Sequence, residues 1–235
     1  MNLSRRDFIG LSAGAFAIGL VGCAGKPTVQ KEPQAATEAK EQDKPTLEVA
    51  DSGFYMDEYG SAHFAAKITN NSTEYAAAQV DITASAKDTD GKILGTYPCL
   101  LSAIYPNGSA FVGGNIPVSG EVKTVEFTIA DKKDMWQKTK QTQDEYTKTF
   151  YAENLNVTND GIPQVTGEAI STSKYDFQQS KVIAVLMDNS GKIIGGDCTY
   201  LDNLTAGAKQ PFSVFLGKMP EYKDVIAYVD AGAKK

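Results

Sequence analysis

The chain has 235 residues, 42% of them hydrophobic, and a formal net charge of −6. An acidic chain lacks the basic footprint that phosphate backbones require, which disfavours nucleic acid as a partner. With one histidine and three cysteines, little is on offer for acid–base, nucleophilic or zinc chemistry.

The chain opens on Ser4-Arg5-Arg6-Asp7-Phe8-Ile9 and an uncharged run, 8–22, interrupted by Gly10, Gly14, Gly19 and Gly22. That run is shorter than the roughly 20 apolar residues of a spanning helix and reads as an export signal peptide. The Arg5-Arg6 pair with Phe8 and Ile9 resembles a twin-arginine export signal. The alternative is a general secretory signal in which two arginines are adjacent by chance. The run ends in Leu20-Val21-Gly22-Cys23, which resembles the lipobox of bacterial lipoproteins. A lipobox implies diacylglyceryl transfer to the Cys23 thiol and cleavage of residues 1–22 in front of it. Two or three acyl chains, at about 0.8 kcal/mol per buried methylene, would then hold the chain on the membrane.

Residues 23–46 carry the lipidated cysteine and a Pro-, Glu- and Lys-rich stretch without aromatics, whose composition predicts a disordered tether. Beyond it the sequence repeats. Asp88-Thr89-Asp90-Gly91-Lys92-Ile93-Leu94-Gly95 recurs as Asp188-Asn189-Ser190-Gly191-Lys192-Ile193-Ile194-Gly195, a constant offset of one hundred positions. Tyr75 and Tyr175, Gln79 and Gln179, Ile82 and Val182, and Ala84 and Ala184 keep the same offset. Two copies of one unit are present.

Within each copy the hydrophobic period is two. Val80, Ile82, Ala84 and Ala86 alternate with Asp81, Thr83, Ser85 and Lys87, one face dry and one wet. Gly91 and Gly191 mark hairpin turns. Further alternating runs lie at 47–55, 62–69, 109–116 and 122–130, and again at 149–158, 163–171, 209–216 and 223–230. About six or seven short strands per copy predict an all-β fold, two tandem immunoglobulin-like antiparallel β-sandwich domains at 47–130 and 150–231. Each copy has its own set of strands, so each is expected to fold alone. The polar stretch 131–149 between them, which holds Met135 and Trp136, is expected to be a connector with a helical turn or two.

The strand ending in Asp88 or Asp188, the following Gly-Lys-Ile-aliphatic-Gly and the later Phe-containing strand resemble the FxLYD domain. The Asp matches in both copies and Leu186 in the second. This resemblance implies a small all-β module of extracytoplasmic proteins, often lipoproteins, and no catalytic residues.

His63, at the start of a strand, reads as a satisfied surface or strand-edge histidine rather than a catalytic one. Asp88-Thr89-Asp90-Gly91 begins like a calcium loop but has no later Glu, so a turn capped by Asp is the better reading. Cys99 and Cys198 are read as two buried thiols inside separate sandwiches, the alternative being a disulfide. No cofactor or metal is expected. One contrast between the copies is informative: the wet positions Asp81, Thr83, Ser85 and Lys87 align with Lys181, Ile183, Val185 and Met187. Ile183, Val185 and Met187 form a candidate interaction face, covered by the connector, the first copy or a partner. The expected function is a non-enzymatic, membrane-tethered extracytoplasmic module that binds another envelope component, protein or polymer. The alternative is a lipoprotein that captures a small solute for a transporter.

Overall fold

The structure is a computed structural model that describes residues 45–159 and 161–235. The export signal with Arg5 and Arg6, the lipobox Cys23 and nearly all of the tether lie outside the described residues.

Six strands build the first copy: β1 (Leu47–Met56), β2 (Ser61–Asn70), β3 (Tyr75–Lys87), β4 (Ile93–Ile104), β5 (Ser109–Pro117) and β6 (Thr124–Ile129). A 3-10 turn (Lys133–Met135), a short strand β7 (Trp136–Lys138) and helix α1 (Gln143–Thr149) follow. The second copy holds β8 (Phe150–Thr158), β9 (Gln164–Ser171), β10 (Phe177–Met187), β11 (Ile193–Leu204), β12 (Lys209–Phe215), β13 (Asp224–Asp230) and β14 (Ala233–Lys234). The fold is all-β, and the two copies are tandem antiparallel sandwiches. In the first, sheet β1-β2-β5 faces sheet β4-β3-β6; in the second, β12-β9-β8 faces β11-β10-β13.

The repeat extends into the connector. β7 pairs with the start of β3 and β14 with the start of β10, so each copy closes on a short strand in the same place. Sequence periodicity could not show this, because three residues are too few to display alternation. Helix α1 begins with a capping box, in which the Glu145 amide donates to Thr142 Oγ1 and the Thr142 amide to Glu145 Oε2.

Each sandwich has an inner core from the alternating apolar positions. In the first, buried Phe64 meets Tyr97 and Phe127 edge-on, above Ile82, Ala84 and Leu101. In the second, Val165, Val182, Leu186, Leu204 and Val214 are buried. The hairpin turns are as expected: Asp88 Oδ1 accepts the Asp90 and Lys92 amides, and Asp188 Oδ1 those of Ser190 and Lys192. Gly91 and Gly191 both have φ of 79° there.

The two sandwiches also pack on each other. Sheet β1-β2-β5 lies against β11 and β10, giving four layers, with the edge strand β4 reaching round to the second copy. This order explains the contrast read between the copies. Sheet β4-β3-β6 is an outer layer, so Asp81 and Thr83 are exposed, whereas β10 is an inner strand buried on both faces.

Candidate functional site: the interface between the copies

One face of each inner sheet forms the interface. On β1, β2 and β5 it carries Gly53, Tyr55, His63, Ala65, Phe111, Gly113 and Asn115, aligned across the ladders. Several of these are small, which lets the sheets come close. A Cβ on Gly53 would lie 2.1 Å from the Ile193 carbonyl oxygen, and one on Gly113 would lie 2.8 Å from Ile183 Cγ2. Ile183 and Val185 are buried against this face, and Met187, at the strand end, is half-buried. The first copy is therefore what covers Ile183 and Val185. Burying each of these side chains stabilises the packed state by about 1.5–3 kcal/mol.

At one end of the interface, His63 is buried between two carboxylates, one from each copy. Its Nε2 is 3.1 Å from Asp57 Oδ2, and its Nδ1 is 2.9 Å from Asp197 Oδ2. The Asp197 contact misses the ring N–H direction, so it is ionic rather than a directed hydrogen bond. Tyr55 stacks on the imidazole at 5.2 Å, with its hydroxyl donating to the Leu216 carbonyl, and Phe215 meets the ring edge-on. Asp57 Oδ1 also accepts the Tyr59 and Ser61 amides; Asp197 accepts the Asn115 amide and its neighbour's backbone N–H.

A neutral imidazole offers one donor and one acceptor, so carboxylates on both sides call for the doubly protonated ring. Burial works against that charge, but the nearness of the Asp197 carboxylate and then of Asp57 outweighs it and raises the His63 pKa. Burial likewise opposes ionisation of Asp57, and the Ser61 amide and His63 overcome it, leaving its pKa lowered. Burial, then Asp197 and Asp57, push the Tyr55 phenol far up, so it stays neutral. The arrangement is an electrostatic clamp across the interface. It corrects the reading of His63 as a surface or strand-edge residue: β2 is the central strand of its sheet, and the residue is 1% exposed. The sequence carried no signal for Asp197, which only the tertiary packing brings to His63.

At the other end, the edge strand β4 offers backbone groups to the second copy. Lys181 Nζ donates to the Leu100 carbonyl, and Asp230 accepts the Ser102 amide at 3.1 Å and 3.3 Å. Lys181 and Asp230 are 3.8 Å apart, so together they cover part of an exposed strand edge. Burial raises the Asp230 pKa. Helix α1 pins the same region: Gln143 accepts the Tyr105 amide from the first copy and donates to Tyr228 of the second. The buried Tyr146 hydroxyl accepts the Ala231 amide and donates to Asp230.

The cysteines depart from the expectation of separate interiors. Cys99 and Cys198 are free and line one void of about 10 Å³ between the copies, with Tyr97 and Ile183. The Tyr97 hydroxyl is 3.8 Å from Cys198 Sγ. Burial pushes the Cys99 thiol up to about 12 and the Cys198 thiol up to about 11. Among the described residues, no group of three or more His, Cys, Asp or Glu is placed to hold a metal ion.

No protein-family model matches the chain, and no curated protein is significantly similar to it.

Proposed function

We propose that the protein is an exported lipoprotein, held on the extracytoplasmic side of the membrane through acyl chains on Cys23. Its paired FxLYD-like sandwiches act together as a non-enzymatic binding module for another envelope component. The observation that carries this reading is the order of parts: Arg5-Arg6, lipobox, charged tether, and then two sandwiches packed through a buried face. With Ile183 and Val185 occupied within the chain, a partner would meet the outer layers, the sandwich ends or the seam between the copies. The solute-capture alternative is less favoured, because the two clefts described along that seam, of about 10 Å³ and about 220 Å³, fall short of the about 300–1,000 Å³ usual for small-molecule sites and leave room for no more than a single ring.

Fractionation tests the anchor and crosslinking tests the partner. Replacing Cys23 with Ala should move the protein out of the membrane fraction or leave an uncleaved precursor. Crosslinking in intact cells, followed by mass spectrometry, should recover an envelope component. An unacylated, soluble wild-type mature protein would overturn the anchor reading.

A further inference from the structure

Along the seam near Lys181 and Asp230 runs a cleft of about 220 Å³ whose lining includes Gln79, Gln179, Leu100, Tyr200, Lys181 and Asp230. The two glutamines are equivalent residues of the repeat, and both copies hold them in the left-handed backbone region, at φ of 52° and 56°. Glycine, or less often asparagine, normally takes such a position, because a larger side chain is strained there. Both glutamines are exposed, and neither side-chain amide has a hydrogen-bond partner within the described residues. The left-handed backbone falls where the β3–β4 and β10–β11 ladders each skip a residue, and the side chains that both copies keep there do nothing for the fold, which leaves them for a ligand. We propose that this cleft binds a neutral sugar ring.

The chemistry of the lining selects that class. Two free carboxamides each present a donor and an acceptor, which suits neighbouring hydroxyls. Tyr200 is 60% exposed, and the part of its ring that Lys181 Nζ, 5.8 Å from the centroid, leaves uncovered gives an apolar surface for the C–H side of a pyranose. Lys181 and Asp230 offset each other and are engaged with β4, so the cleft offers no net charge to an ion. The volume suits one ring rather than a drug-sized ligand. The inference rests on the envelope reading only for the source of the sugar, a terminal residue of an envelope glycan.

The test is an NMR titration of the purified chain with methyl glucoside, methyl galactoside and methyl N-acetylglucosaminide, read at the side-chain amides of Gln79 and Gln179. The expected result is saturable shifts with at least one of the three, at a Kd on the order of 1 mM. Gln79→Gly and Gln179→Gly should each weaken binding at least about tenfold while leaving Tm unchanged or higher, because glycine relieves the left-handed strain. No saturable shift with any of the three sugars would overturn the proposal. So would glycine variants that bind as wild type, and a fall in Tm would assign the glutamines to the fold instead. Membrane fractionation of Cys23→Ala is unaffected by any of these outcomes, so failure of the sugar site is distinguishable from failure of the envelope reading.

Discussion

Replacing His63 with Gln removes the only histidine of the chain and, with it, the positive charge between Asp57 and Asp197. Both carboxylates are almost completely buried, at 3% and 5% side-chain exposure, so water cannot take over. Breaking one side of a buried ionic arrangement costs about 3–5 kcal/mol. The lower end is expected here, because Asp57 keeps two backbone amides and Asp197 keeps Asn115. The pH dependence is more diagnostic than the loss itself. The folded pKa of His63 is raised, so its contribution is fully present below the unfolded value of about 6.5 and is lost as pH rises through the folded pKa. A tenfold gain in proton affinity on folding corresponds to about 1.4 kcal/mol. Urea unfolding from about pH 6 to about pH 8 should show wild-type stability falling with pH more steeply than that of His63→Gln. Asp57, held low, does not titrate there. The Cys99 and Cys198 thiols, raised on folding, add a fall of their own only as pH approaches the unfolded thiol value of about 8.5. The raised pKa of buried Asp230 acts alike in both proteins. A wild-type profile no steeper than that of His63→Gln over this range would refute the clamp, as would ring-nitrogen shifts of a neutral imidazole at pH 6.

Val185→Lys should destabilise the whole chain by at least about 3 kcal/mol, read by urea unfolding, because it places a charge on a fully buried strand face. The second copy alone, residues 150–235, should fold but self-associate through the uncovered Ile183 and Val185, and light scattering would show this; a monodisperse monomer would contradict it. Cys99 and Cys198 should resist iodoacetamide at pH 8 in the native protein and react at once in urea, since burial holds both thiols protonated. Rapid labelling of the native protein would show an open interface.

The strands of the outer sheets were legible because one face is buried and the other wet, which writes a period of two into runs such as Val80 to Lys87. β10 reads differently because it is covered on both faces, and comparison with the equivalent β3 located the interface at Ile183 and Val185. What covers that face was not legible, since an apolar strand face looks the same under a connector, a sister domain or a partner. The His63 clamp was hidden for a related reason. Asp57 lies close in sequence but in a turn, and Asp197 comes from the other copy, so no spacing announces either one. The left-handed backbone of Gln79 and Gln179 was also invisible, although the sequence match of the two residues was plain. Residue type alone points away from a positive φ at glutamine.

The central claim is that the two sandwiches form one packed body through a buried face. Urea unfolding of the chain, followed in parallel by Trp136 fluorescence and by far-UV circular dichroism, tests it most directly. Trp136 is the only tryptophan and lies on β7, paired with β3 of the first copy, whereas circular dichroism reports both sandwiches. One coincident transition in both signals is the predicted result. A second circular-dichroism transition well separated from the tryptophan signal would mean that the copies unfold independently, and would contradict the account.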